Sequence, residues 1–519
     1  MRKGCLFVLA LSLSAVSCHR TVSVEESLLR DRIYGGWAGK LIGVQYGAPH
    51  EFWHQAHINE GWVEWDPSII PGALNQDDIY TQLSFLRTFD SLGLDAGQDQ
   101  LAQAFAQAGF ELFHANLQAR KNWLDGLRPP QTGSARFNAH ADDIDFQIDA
   151  DFIGFMCPGM PVSARRYCER IGPIMNDGDG IYGGVYMAAL HSLAFFESDM
   201  ERLVRGALDC IPEQSAYARC VSEVLEQYRR DSLDWRAAWS LLHERWESHV
   251  CAPGLAFNID AKMNGAYVTI GLLYGGGDLD KTMEIAVRCG QDADCNASNA
   301  AAVWGVVHGY EAFPEHYRQA LAGIADSTFA YTPYSWTGAA EKTLQFATEN
   351  IRRGRGLREA REGGDLWRIR LQRPCAEKRC RVSFPGMSRA GTIPAQEWSL
   401  GGGGWTLRDG LGTGAFACCG EPGAWAEVGF EGEMVTVSGA WGPDCGRVDI
   451  YIDGELVRTI DGYMPSDSGW FVLNPDVLFV ASGLVPGPHT LRMVIRDDRH
   501  PDSTGHKLAF VRLDAYSSM

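Results

Sequence analysis

Three groups of carboxylates carry the chemistry this sequence offers. Asp77-Asp78 follow Asn75-Gln76 and precede an apolar run from Ile79. Asp142, Asp143, Asp145, Asp149 and Asp151 crowd the segment DDIDFQIDAD. Asp292 and Asp294 flank Ala293 and open the small-residue run NASNAAAVWGVVHG. Acids at a helix N-terminus cap it and complement its dipole, for about 0.3–1 kcal/mol each, and a single pair needs no other account. Two pairs at the mouths of two helices ask for more. Carboxylates sharing a partly dry site stay ionised together only where a cation joins them. Oxygen donors without clustered His or Cys suit Mg²⁺, Mn²⁺ or Ca²⁺ rather than zinc.

The elements that must hold these acids are legible too. Gly35, Gly39, Gly43 and Gly47 fall four apart and line one face of a helix. Each costs about 0.5–1 kcal/mol relative to Ala, so a second backbone is expected to approach closely. Asp31, Arg32 and Lys40 beside the ladder argue against a membrane dimer and for a tightly packed central helix. Ala301, Gly305 and Gly309 repeat the same spacing behind Asp294. Residues 26–365 read as helical, with periodic runs such as Ile79, Leu83, Leu86 and Val221, Leu225, Tyr228. Residues 385–519 turn to short alternating runs broken by Gly432, Asp453-Gly454 and Gly487-Pro488, the pattern of an all-β sandwich. Residues 366–384 are the expected linker.

Taken together, the motifs resemble the ADP-ribosylglycohydrolase family, which includes the dinitrogenase-reductase-activating glycohydrolases. Asp31-Arg32-Ile33-Tyr34-Gly35 and the ladder to Gly47-Ala48-Pro49 look like its opening helix. Asp77-Asp78 and Gly290-Gln291-Asp292-Ala293-Asp294-Cys295 look like its two metal motifs. Asn176-Asp177-Gly178-Asp179-Gly180 and Asn264-Gly265-Ala266 look like its inner glycine segments. The resemblance covers residues 26–345. It implies an all-α bundle holding two divalent ions, usually Mg²⁺ with Mn²⁺ as an option, and hydrolysis at an anomeric carbon. By matched position, Asp77, Asp78, Asp292 and Asp294 would ligate metal, and Glu51 would be the acid/base. Gln76, Asn264 and the glycine-flanked Asp177, Asp179 and Tyr182 are candidates to contact substrate, while Asp143 and its acidic neighbours are open to either a structural or a substrate-contact role. The chain departs from the family where Thr-Asp-Asp-Thr becomes Gln76-Asp77-Asp78-Ile79, where a threonine becomes Cys295, and where Gly-Asp becomes Gly43-Val44.

Composition bounds the partners. At 519 residues, with 45% hydrophobic and 11% aromatic residues, the chain is globular and has room for two domains. A net charge of −19 argues against a nucleic-acid partner, which needs a clustered basic surface. Residues 1–17 read as a secretory signal, and Ala15-Val16-Ser17-Cys18 resembles a bacterial lipobox. The expected product is an exported lipoprotein, lipidated at Cys18, with residues 18–25 as a tether and the lipid as its membrane contact. In such a compartment Cys375 and Cys380 are open to pairing, as are Cys418 or Cys419 with Cys445. The C-terminal segment resembles the galactose-binding-like jelly-roll modules found beside glycoside hydrolases. Trp398, Trp405, Trp425, Trp441 and Trp470 are its candidates for stacking on sugar rings.

The expected protein is therefore a two-domain, divalent-metal-dependent hydrolase of an N- or O-glycosidic bond, acting on an ADP-ribosyl conjugate or an extracytoplasmic glycan. A catalytically inactive glycan-binding lipoprotein that kept the fold is the main alternative. A metal-dependent phosphoester hydrolase is a weaker one.

Overall fold

The computed structural model describes residues 20–246, 259–362, 364–384, 387–410, 414–465 and 476–518. The signal segment, Cys18 and Trp470 lie outside them.

The glycine ladder organises the helical part. The opening helix Glu26–Gly47 packs against the small-residue helix Ala293–His308 along its whole length. A Cβ on Gly39 would lie 2.1 Å from the Ala301 carbonyl oxygen, and one on Gly43 would lie 2.4 Å from that of Ala297. Only glycine allows two backbones this close. The helices Leu279–Arg288, Trp336–Arg353, Gly178–Ala194 and Ala261–Tyr274 pack on the pair, and the last is buried on every face. That all-round burial explains why its sequence shows no amphipathic stripe. One continuous hydrophobic core fills the bundle.

The two segments expected as tether and linker are more ordered than their sequence suggests. Thr21–Glu25 is a strand, and it pairs antiparallel with Leu366–Arg370, which pairs in turn with Leu357–Glu359. This three-stranded sheet clasps the beginning and end of the helical domain, with Trp367 buried beneath it and its indole N–H donating to Glu26 at 2.9 Å.

The C-terminal domain is a sandwich of two antiparallel sheets. One runs Glu455–Asp461, Arg447–Ile452, Pro488–Ile495, Trp425–Glu431, Ser399–Gly401. The other runs Asp476–Ser482, Met434–Gly439, Leu508–Ser518, Gly414–Cys419, Thr406–Gly410, with Met387–Pro394 also on Leu508–Ser518. Its core holds Val437, Ile450, Leu491, Met493 and Phe510. Trp398 and Trp441 are buried rather than free to meet sugar, whereas Trp405 and Trp425 are half-buried. The Arg492 guanidinium stands 4.2 Å over the Trp425 ring.

The domains touch at the segment around residues 117–139. Arg458 donates to Asn122 Oδ1 at 2.7 Å and lies 5.3 Å over the Phe137 ring. Ala139 packs with Met434, Val477, Val480 and Tyr516. The expected cysteine pairings do not form: Cys375, Cys380, Cys418 and Cys419 are free thiols, and those of Cys375 and Cys380 point to neighbouring backbone carbonyls.

Candidate active site and metal centre

The turn before the small-residue helix sets the site. Gly290 has φ +84°, and Gln291 follows in the left-handed region at φ +56°. A Cβ on Gly290 would strike the His54 carbonyl oxygen at 2.2 Å. The closeness is used: Phe52 N–H donates to Gln291 O and Gln291 N–H to His54 O, both at 2.9 Å. These two bonds staple the loop carrying Glu51 onto the turn carrying Asp292. Asn264, on the buried helix behind, accepts from Asp292 N–H at 3.4 Å and from Asn296 Nδ2 at 2.9 Å. Asn264 thus positions the acidic turn from behind.

Asp292, Asp294 and Asp78 are buried together, and Asp77 and Glu51 are half-buried beside them. Gln76 Nε2 donates to Asp294 Oδ2 at 2.8 Å, joining the first motif to the second. Cys295 Sγ lies 3.1 Å from Asp78 Oδ1. Burial among carboxylates pushes that thiol well above its ordinary range, so it is a donor to Asp78 and not a thiolate. Asp78 Oδ2, Asp292 Oδ1 and Asp294 Oδ1 are buried with no hydrogen-bond partner among the described residues.

The electrostatics reflect that crowding. Burial, then the charges of Asp294, Asp77 and Asp78, push Glu51 up to about 9. Burial and the Asp294 charge raise Asp292 well above the carboxylate range. Burial and the Asp78 charge raise Asp77. Orphaned buried oxygens converging with mutual repulsion are what a hard divalent cation relieves, so these residues fit the ion the family motifs imply.

One cation is built in. Lys40, in the middle of the glycine ladder, is fully buried, with Nζ 2.5 Å from Asp151 Oδ2, 3.8 Å from Asp78 Oδ2 and 3.0 Å from the Ile148 carbonyl oxygen. Burial opposes its charge, but Asp151 and Asp78 outweigh it and its pKa ends raised. Asp151 also meets His191 Nε2 at 2.6 Å and accepts from Asn299 Nδ2 at 2.9 Å. Sequence reading placed Lys40 beside the ladder but gave no sign that it neutralises the floor of the site.

Other expected substrate contacts have partners within the protein. Asp177 caps the helix Gly178–Ala194 through Gly178 N–H at 2.9 Å. Asp179 accepts from Tyr217 N–H at 3.1 Å, at the start of the helix Ala216–Arg230. The Tyr182 hydroxyl donates to Glu377 at 2.9 Å and accepts from Arg381 N–H at 2.7 Å, so it holds the linker. Asp143 meets His140 Nδ1 at 2.9 Å and His114 Nδ1 at 3.3 Å. That grouping was invisible in the sequence, because the two histidines stand far apart in the chain.

A family model described as ADP-ribosylglycohydrolase matches residues 25–349. A chain of an "ADP-ribosylglycohydrolase-related protein complex" is 16% identical, with a TM-score of 0.39, covering 63% of this chain and 100% of that one. A β-1,3-glucan-binding CBM6 from Bacillus halodurans is 18% identical, with a TM-score of 0.19, covering 25% of this chain and 96% of that one. An A type blood alpha-D-galactosamine galactosaminidase from Flavonifractor plautii is 36% identical over 74 residues, which is 14% of this chain. The chain spans 6% of that relative's length. With the family model spanning more than half of the sequence and both aspartate motifs brought to one buried site, the chain belongs to the ADP-ribosylglycohydrolase family of glycosidic-bond hydrolases.

Proposed function

We propose that this protein hydrolyses an N- or O-glycosidic bond with the help of divalent metal, held by Asp77, Asp78, Asp292 and Asp294. The observation that carries the reading is the set of orphaned, buried carboxylate oxygens on Asp78, Asp292 and Asp294. An ion bound there, Mg²⁺ or Mn²⁺ by donor type, supplies Lewis acidity toward oxygen ligands. The remaining work falls to the chain. Gln76 holds Asp294 in place, Cys295 and Lys40 hold Asp78, and Asn264 fixes the turn at Asp292. Glu51, stapled over the acidic turn, is placed to hold a proton at its carboxyl for the leaving oxygen or nitrogen, or to take one from an attacking water.

The substrate class is read from context. The leader, lipobox-like Cys18 and appended β-sandwich support an exported, membrane-anchored enzyme acting on a glycan or glycoconjugate, with ADP-ribosyl conjugates as the family's own alternative. The test is calorimetric titration of the metal-free protein with Mg²⁺ and Mn²⁺, alongside glycan-binding measurements with and without EDTA. Binding of either ion that is lost in Asp77→Ala and Asp294→Asn supports the reading. Glycan binding that ignores EDTA and both substitutions, with no ion bound, would instead favour an inactive binding lipoprotein.

A further inference from the structure

We propose that His114, His140 and Asp143 form a second metal site, of a different class from the aspartate cluster, that takes a borderline cation such as Zn²⁺. The three offer donor atoms that all lie within 4.8 Å of one another, with Asp143 Oδ2 2.9 Å from His140 Nδ1 and 3.3 Å from His114 Nδ1. Donors about 2.0–2.1 Å from a tetrahedral zinc stand about 3.3–3.4 Å apart, so the two spacings from Asp143 need shifts of only a few tenths of an ångström. Two imidazoles and one carboxylate suit zinc and disfavour Mg²⁺, which prefers oxygen alone. Three protein donors leave a fourth position for an exchangeable oxygen.

The site is built, not incidental. Asn138 is buried and donates through Nδ2 to Ala115 O at 3.0 Å and to Met175 O at 2.9 Å, while its Oδ1 accepts from His140 N–H at 3.0 Å. One side chain therefore fixes both histidine segments, the support expected of residues behind a metal ligand. His114 opens its helix at φ +44°, a left-handed conformation unusual for a non-glycine residue and of the kind retained at functional positions. Asp143 is fully buried, whereas the His114 side chain keeps 17% exposure, which gives an ion an entry path. Asp145, buried, has its Oδ2 without a hydrogen-bond partner, and the charges of Asp143 and His114 both act on it. On binding, each imidazole gives the ion its Nδ1 lone pair, and the proton there moves to Nε2 or to solvent. The proposal stands independently of the metal reading of the aspartate cluster.

The test uses the whole untagged chain, freed of metal and titrated with Co²⁺ as a visible probe. We expect ligand-field bands of tetrahedral intensity at one equivalent, erased by Zn²⁺ and not by excess Mg²⁺. His140→Ala and the milder His114→Ala should each weaken Zn²⁺ binding at least about 100-fold, since losing a residue behind a ligand already costs about 10–100-fold. Asp292→Ala should leave the bands in place. So should His54→Ala, which removes the exposed His54–His57 pair as a competitor (3.1 Å). Absent bands, bands surviving both His114→Ala and His140→Ala, or bands lost with Asp292→Ala or His54→Ala would overturn the assignment. Circular dichroism of each variant separates lost metal from lost fold.

Discussion

Gly47→Ala should damage metal binding far more than it damages stability. A Cβ on Gly47 would lie 2.4 Å from the Ala293 carbonyl oxygen and 2.4 Å from Asp294 Cα. Ordinary contact begins near 3.4 Å, so the first turn of the small-residue helix must retreat by about 1 Å (3.4 − 2.4). That turn carries Asp294, and sites of this kind tolerate errors of about 0.5 Å. A displacement of about 1 Å is expected to cost about 100-fold in metal affinity and turnover. The matched control is Gly35→Ala, whose Cβ would lie 2.1 Å from Gly305 O. It lies 12 residues away, about 18 Å along the helix, and far from the aspartates. Overpacking costs about 1–3 kcal/mol, offset by about 0.5–1 kcal/mol from removing a helical glycine, so both variants should lose no more than about 2.5 kcal/mol. Only Gly47→Ala should lose Mg²⁺ or Mn²⁺ affinity. Urea unfolding gives the first quantity and calorimetric titration the second. Equal metal affinity in the two variants would refute the claim that the ladder sets the position of Asp294.

Lys40→Met should strip the ammonium that contacts both Asp78 and Asp151, cost about 3–5 kcal/mol by thermal unfolding, and recover partly with a divalent ion at Asp78. Cys295→Ser should leave Mg²⁺ affinity within about threefold, because the thiol serves as a donor to Asp78 and a hydroxyl does the same; a large loss in titration would make the sulfur a ligand. Asp149 has its pKa raised by burial first and the Asp145 charge second, so the folded state holds a proton that the unfolded chain releases. Its contribution therefore erodes as pH rises above the ordinary carboxylate range, and Asp149→Asn should gain stability relative to the parent as pH climbs above that range in denaturant titrations. Arg458→Ala should loosen the sandwich from the 117–139 segment, speeding proteolysis between the domains while metal affinity holds.

The helix pair at the centre was legible because its signal is local: glycines at a spacing of four permit one kind of contact, and Gly35 through Gly47 make it. The aspartate pairs were legible for the same reason, since each sits at the mouth of its own helix. What sequence could not show depends on chain ends meeting. Lys40 finds Asp151 and His191, and His114 finds His140 and Asp143, through packing that no periodicity encodes. Thr21–Glu25 looked like a tether because its partner strand lies at Leu366–Arg370. Glycine-flanked acids look like a ligand loop; here Asp177 caps its own helix, a role the same residue type favours, and Asp179 accepts from the first turn of a neighbouring helix.

The central claim is metal-dependent cleavage of a glycosidic bond at the aspartate cluster. The most direct measurement is sugar release from ADP-ribosyl conjugates and aryl glycosides, with Mg²⁺ or Mn²⁺ and again with EDTA, by the parent and by Asp292→Ala. The account predicts release that EDTA abolishes, that added metal restores, and that Asp292→Ala lacks. Release that persists in EDTA or in Asp292→Ala would contradict it.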